Sequence, residues 1–177
     1  MHLKLFVTAL ACGLLAQTTL ANPSKAGYKP INNQQYAFED LGPWKEGDVT
    51  VPSYPDKPDW VGFFVPLKTN YQFFVDSKTL SIGQDGVVRF VLRVVSPSGA
   101  ENVSYEGIRC QSKESRSYAF GDTLGKKWYE STRAIWKRLS GDDTTRERLA
   151  EDLCTDDWHV PTDAPQALML LKKSPWR

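Results

Sequence analysis

A long alternating strand, a turn and a returning strand follow one another in the middle of this chain, and they restrict its fold more than any other segment. In Val87–Val95 the even positions are all apolar, whereas Arg89 and Arg93 stand at odd positions. Period-two alternation is typical of a β-strand with one face in a hydrophobic core. The turn signal Ser96–Gly99 follows, and Asn102–Gln111 then returns. These residues predict an antiparallel hairpin.

Further strands are predicted on both sides of the hairpin. Segments rich in aromatic and β-branched residues, as strands prefer, are Trp60–Val65, Tyr71–Val75, Arg116–Phe120 and Lys127–Glu130. Residues 134–139 are ambiguous between strand and loop. Because short turns join successive strands, we expect an antiparallel order throughout.

Two helices are predicted near the carboxyl end. Thr144 and Glu147 fit a capping box, with Thr144 as the cap, and Leu149 and Leu153 lie one turn apart on the same helix face. A second helix is predicted from about residue 163 to 173. The expected fold is therefore α+β: a twisted antiparallel sheet with one or two C-terminal helices packed on one face.

The first 21 residues have the three-part pattern of a secretory signal peptide. A single cation, Lys4, precedes the apolar run Leu5–Ala16, and small residues lead to Ala21. The run is shorter than the roughly 20 apolar residues of a membrane span, and no other segment is long or apolar enough for one. We expect cleavage after Ala21 and export to the periplasm. A lipoprotein anchored through Cys12 is the less favoured alternative, because the residue three positions earlier is smaller than a lipobox prefers.

The mature chain divides into an arm and a domain. Residues 22–58 contain six of the eleven prolines, which predicts an extended arm, and residues 59–177 form the globular α+β domain. Several aromatic residues suggest that the later part of the arm lies on the domain surface: Tyr36, Phe38, Trp44 and Tyr54.

The balance of charge excludes some partners. The signal segment removes one Lys and no acid from the 22 basic and 21 acidic residues, so the mature side chains carry no net charge. This argues against a broad nucleic-acid or acidic-lipid surface.

Two cysteines remain after cleavage, Cys110 and Cys154. Two cysteines in an oxidising compartment most often pair, so a disulfide is predicted. A free thiol or a metal pair are the alternatives. The chain has no C-x-x-C motif, and His159 is its one mature histidine, which makes a metal site unfavourable.

The candidate chemistry is sparse. His159 fits a polar loop after a helix better than a general base, and no nucleophile motif is present, so we predict no catalytic residues, no cofactor and no metal. If the register of the hairpin matches, Arg89, Arg93 and Arg109 form a cationic stripe beside Tyr105 on the exposed face. Such a stripe is a candidate binding surface for an anionic or glycan group. Ordinary cross-strand pairing with Glu residues is the alternative.

Three segments resemble a known family. They are Asp85–Arg89, Ser96–Ala100 and Asn102–Cys110, and the likeness extends over about residues 44–172. The chain resembles the cryptic neisserial protein family, small exported proteins of Proteobacteria. The resemblance implies a periplasmic or lipoprotein-like location and an unassigned biochemical role, and it brings no catalytic residues.

These observations favour a non-enzymatic periplasmic binding or envelope-interaction module, whose partner is an envelope protein or a glycan. The alternative is a secreted or periplasmic inhibitor of an envelope-attacking enzyme such as a lysozyme, with Ser96–Ala100 as the loop that enters the cleft of the enzyme. A hydrolase is disfavoured by the missing nucleophile and base. The ligand and the oligomeric state stay open.

Overall fold

The computed structural model describes residues 43–68 and 70–173. The predicted signal peptide, Cys12 and the first part of the arm, with Tyr36 and Phe38, lie outside the described residues. We call residues 43–58 the strap. The strap contains neither helix nor strand, as its prolines predict.

Eight strands and two α-helices follow the strap within the described residues. The strands are β1 (Trp60–Phe63), β2 (Gln72–Asp76), β3 (Ser81–Ile82), β4 (Val87–Val95), β5 (Glu101–Arg109), β6 (Glu114–Asp122), β7 (Lys127–Glu130) and β8 (Lys137–Arg138). The helices are α1 (Thr144–Leu153) and α2 (Ala164–Lys173). Short 3₁₀ turns occupy Pro66–Lys68 and Gly141–Asp143.

All eight strands join one antiparallel sheet in the order β1-β2-β4-β5-β6-β7. The short strand β3 pairs with β4 at Val88 and Arg89, and the short strand β8 pairs with the first two residues of β6. The predicted hairpin is the centre of the sheet, where β4 and β5 pair continuously from Val87↔Arg109 to Val95↔Glu101. The predicted α+β fold is confirmed. Strand β3 was missed because two residues are too few to show alternation.

The two helices cover one face of the sheet. Val88, Phe90 and Leu92 of β4 point to this face and pack in one cluster with Leu149 and Leu153 of α1. The predicted disulfide is present: Cys110, just after β5, bonds Cys154 at the end of α1, with 5.7 Å between their Cα atoms. The sulfur bridge therefore holds the carboxyl end of α1 on the sheet.

The opposite face of the sheet is also buried. Val91 and Tyr105 form a second cluster there, and Val49, Val51 and Tyr54 of the strap pack against it. The expectation that β4 has only one face in the core was therefore wrong, because the strap excludes water from the other face. The expectation that the later part of the arm lies on the domain is confirmed for Tyr54.

The caps of the helices differ slightly from the prediction. Asp143, not Thr144, caps α1: its Oδ1 accepts the Arg146 amide at 3.3 Å and its Oδ2 accepts the Arg146 guanidinium at 2.8 Å. Asp143 accepts from both the backbone amide and the guanidinium of Arg146. Such charge-assisted hydrogen bonds are stronger than the neutral one that the Thr144 hydroxyl would accept. Helix α2 begins one residue after Asp163, whose carboxylate accepts the Gln166 amide at 2.8 Å.

No helix among the described residues has the length and hydropathy needed to cross a membrane.

Candidate functional site

The strap is fastened to the sheet by one carboxylate, that of Glu46. Its oxygens accept hydrogen bonds from four side chains that converge on it: Arg89 (3.2 Å), Trp136 (3.2 Å), Arg116 and Tyr118. Burial, together with the hydrogen bond to Glu46, raises the pKa of Tyr118 well above its usual range. The phenol therefore remains a neutral donor to the carboxylate at physiological pH.

A second contact joins the start of the strap to the turn before β4. The indole of Trp44 donates to the Asp85 carbonyl at 2.8 Å, and the Gly47 amide donates to the Asp85 carboxylate at 2.9 Å. Burial opposes ionisation of Asp85, but the hydrogen bonds from Arg89, Gly47 and Val87 outweigh it and hold its pKa below the usual value. The carboxylate is therefore a fixed negative partner for Arg89 beneath the strap.

Each residue of the predicted cationic stripe has partners in the structure. Arg89 is only 7% exposed and Tyr105 only 5%, so neither lies on an exposed face. Arg93 pairs with Glu101. Arg109 pairs with Glu114 at 2.7 Å, and its guanidinium lies 3.5 Å from the ring centroid of Trp44.

The predicted stripe is therefore a surface on which the strap docks. Its role in binding an external ligand stays a prediction. Glu46 was missed by sequence reasoning, because nothing in a proline-rich arm indicates that its carboxylate meets donors 43 to 90 positions later in the chain.

A cleft of about 330 Å³ opens on the helix side of the sheet, between β6 and the segment that joins β7 to α1. We call it the cationic cleft. Four basic residues line it: Arg133, Lys137, Arg138 and Arg146. Four serine hydroxyls are also present: Ser115, Ser117, Ser131 and Ser140. One acid, Asp143, lines this cleft, and it pairs with Arg146.

Three cations of this cleft have no acidic partner among the described residues. Six of the eight arginines in the described part of the chain pair with a carboxylate. The two that pair with none of the described carboxylates are Arg133 and Arg138. Lys137 also lacks one, and all three side chains are exposed. Both arginines without a described carboxylate partner therefore meet a lysine of the same kind at one cleft, on a protein whose mature chain is expected to have no net charge.

Arg146 differs from the other three basic residues of the cleft because its guanidinium is paired with carboxylates. Its Nε and Nη2 donate to the two carboxylate oxygens of Glu106, each at 2.6 Å, and Glu106 is completely buried. Burial by itself would lower the pKa of Arg146, but the charge and hydrogen bonds of Glu106 outweigh it and raise this pKa. Arg146 therefore holds the amino end of α1 on β5 and forms a fixed wall of the cleft.

A second cleft, of about 580 Å³, lies next to the first, and we call it the amphipathic cleft. Phe73 and Leu92, each 2% exposed, line it from the core. The exposed rings of Tyr71 and Phe120 also line it. Phe120, Asp143 and Arg146 line both clefts.

The wall of the cationic cleft is connected to the strap on the other face of the sheet. Arg133 and Ile135, between β7 and β8, and Lys137, the first residue of β8, line the cleft. Trp136, between them, instead reaches Glu46 and packs edge-on against Trp44, with 5.7 Å between ring centroids. The strap therefore fixes the position of this wall from behind.

Replacing Glu46 with Gln is expected to lower the free energy of unfolding by about 1–3 kcal/mol, because two arginines and a phenol lose a charged acceptor. Amide hydrogen exchange should increase in the strap and in residues 131–139. Asp48→Asn is the matched control, since Asp48 is exposed in the same strap. Unchanged exchange at residues 131–139 in the Glu46 variant would contradict the connection.

No catalytic arrangement is visible at His159. Its side chain is exposed, and no described residue forms a hydrogen bond with its ring. Among the described residues, no three acidic, cysteine or histidine side chains form a group that would hold a metal ion.

The comparisons with known proteins agree on a family. A model described as the CNP1-like family matches residues 39–172, so the chain belongs to that family, and the resemblance seen in the sequence is confirmed. Cryptic neisserial protein 1 of Neisseria gonorrhoeae (strain ATCC 700825 / FA 1090) is 26% identical over 184 residues, covering 94% of this chain and 86% of that protein. No solved structure matches. Neither the family description nor the name of the relative states an activity.

Proposed function

We propose that this protein is an exported, non-enzymatic binding module of the cell envelope, and that it holds an anionic group of its ligand in the cationic cleft. The observation that carries the proposal is the convergence of Arg133, Lys137 and Arg138, none paired with a described carboxylate, on one serine-rich cleft. Most other arginines of the described chain are neutralised by nearby acids.

The residue types at this cleft suit recognition of carboxylate or phosphate. A guanidinium presents a planar fork of donors that matches either group, and charge-assisted hydrogen bonds are about twice as strong as neutral ones. Serine hydroxyls add adaptable donors. Since the mature chain is expected to have no net charge, the positive potential would act locally, which favours a defined site over general adhesion to polyanions.

Two features support export. The first 21 residues have the secretory pattern. The disulfide between Cys110 and Cys154 is of the kind that persists in the periplasm and is rare in the cytosol.

A titration tests the proposed site. We expect a short oligogalacturonate, which carries carboxylates, or inorganic pyrophosphate, which carries phosphates, to bind the wild-type chain with an affinity that falls as salt rises. Removing three charges together, in R133A/K137A/R138A, should weaken binding at least tenfold, which is about 1.4 kcal/mol.

The matched control removes the same charge elsewhere. Lys45, Lys172 and Lys173 are exposed and do not line the cleft. The variant K45A/K172A/K173A should bind nearly as the wild type does. Absence of binding of both probes to the wild type, or an equal loss in the control, would refute the proposal.

One observation favours the inhibitor as a second candidate. The loop Ser96–Ala100 is exposed at its tip, but hydrogen bonds within the loop hold its shape. The Ser96 amide donates to the Ala100 carbonyl at 2.9 Å, and the Ser96 hydroxyl accepts from the Ala100 amide at 3.0 Å. Gly99 adopts φ +82°, which suits glycine in such a turn. A pre-organised loop enters an enzyme cleft at low entropic cost. An assay of lysozyme activity with and without this protein distinguishes the two functions.

A further inference from the structure

The two clefts on the helix side adjoin each other. Phe120, Asp143 and Arg146 line both of them, so the two clefts meet at these three side chains. A ligand held in the cationic cleft therefore has room to continue into the amphipathic cleft. The volume of the latter, about 580 Å³, is within the range of small-molecule sites.

The apolar surface that the described chain leaves uncovered in the amphipathic cleft comes mainly from aromatic residues. Phe73, Leu92 and Val94 line the cleft from the sheet, but Phe73 and Leu92 are each only 2% exposed, whereas Tyr71 is 43% exposed. The ring of Phe120 is 45% exposed where the two clefts meet. Exposed aromatic rings beside a recessed apolar floor are typical of a surface that binds an apolar group.

The charged groups of the amphipathic cleft are already satisfied. Lys68 donates to the Thr145 hydroxyl at 3.0 Å, Glu101 pairs with Arg93, and Arg146 is held by Glu106. Lys68 also lacks a described carboxylate partner, but it is half-buried and bonded to Thr145, whereas the exposed cations of the two clefts without such a partner, Arg133, Lys137 and Arg138, all line the cationic cleft. We call the two adjoining clefts the groove: exposed unpaired charge is concentrated in one half of it and exposed aromatic surface in the other.

This separation identifies the class of ligand. We propose that the groove binds an anionic amphiphile, with its phosphate or carboxylate head in the cationic cleft and its alkyl chain in the amphipathic cleft. The inference rests on the proposed function, because the head group uses the same cations. A small anion would leave the apolar half empty, and a neutral lipid would leave the cations without a partner.

Four probes, used below the concentration at which they form micelles, test the inference by calorimetry on the wild-type chain. They are decyl phosphate, decanoate, inorganic phosphate and decanol. At least one of the two amphiphiles should bind ten or more times more tightly than both inorganic phosphate and decanol. The difference between decyl phosphate and decanoate then shows which head group is preferred.

Two variants separate the halves of the groove. Tyr71→Ser should weaken binding of the preferred amphiphile at least fivefold and leave oligogalacturonate and pyrophosphate binding unchanged. R133A/R138A should weaken all of these. Because Tyr71 is exposed, its replacement does not threaten folding, and Leu124→Ser, at a side chain 94% exposed and outside both clefts, is the matched control.

Three results would overturn the inference: amphiphiles that bind no more tightly than phosphate, decanol that binds as tightly as the amphiphiles, or a Tyr71→Ser variant with undiminished affinity. If oligogalacturonate or pyrophosphate still bound the wild type in those cases, the proposed function would stand and only the amphiphile would be excluded. If no anion bound, both would fail.

Discussion

Replacing Arg146 with Ala is expected to lower the free energy of unfolding by about 3–5 kcal/mol, because a buried carboxylate loses its ionic partner. Glu106 is completely buried, and both its oxygens are bonded to Arg146 at 2.6 Å. Among the described residues, the Ser104 hydroxyl, which donates at 2.5 Å, is then the one remaining side-chain partner of this carboxylate. Urea denaturation measures the loss.

A double variant tests whether the loss of stability comes from the charge that is left buried without a partner. Removing both partners, in E106L/R146M, should cost less than the sum of the two single replacements, since no charge is then left buried. Arg133→Ala is the surface control, expected to change stability by no more than about 0.5 kcal/mol because Arg133 is exposed and has no described acidic partner. A loss below 1 kcal/mol for Arg146→Ala would contradict this interpretation of the pair.

Replacing Cys154 with Ser is expected to cost about 2–5 kcal/mol, as for native disulfides in small exported domains. Helix α1 has ten residues and would be marginal alone in water. The ion pair with Glu106 holds its amino end, so the loss should fray the carboxyl end of α1 and all of α2 first. Hydrogen exchange should increase in residues 150–173, while the β4–β5 hairpin keeps its protection longest.

The variant C110S/C154S is the control for side reactions of a lone thiol, and it should match Cys154→Ser in stability. Unchanged exchange in residues 150–155 of Cys154→Ser, or two free thiols in the purified wild-type chain, would show that the bond does not hold the helix.

The core elements could be predicted because their signals are local. The alternation in β4 depends only on neighbouring residues, and both its bounds, Val87 and Val95, are those of the structure. The apolar face of Leu149 and Leu153 likewise follows from helix periodicity. Two cysteines in an expected exported chain leave few ways to pair. Strand pairing then follows from short turns, which bring successive strands together in antiparallel order.

The candidate sites depended instead on contacts between distant residues. A charge is paired or unpaired according to which acids fold next to it, and sequence alone does not place those acids. Arg89 and Arg109 were candidates for an exposed binding stripe, with pairing to Glu residues as the alternative, and in the structure they meet Asp85, Glu46 and Glu114.

By itself, therefore, the sequence determined the family, the hairpin-centred sheet and its helices, and the disulfide, because periodicity, turn chemistry and cysteine count are properties of the chain. Only the tertiary structure decided which face was covered and where charge was left over. Arg138 lies in the stretch 134–139, whose structure was ambiguous in the sequence, and Arg133 directly precedes it; they define the cationic cleft because neither forms an ion pair with a described carboxylate.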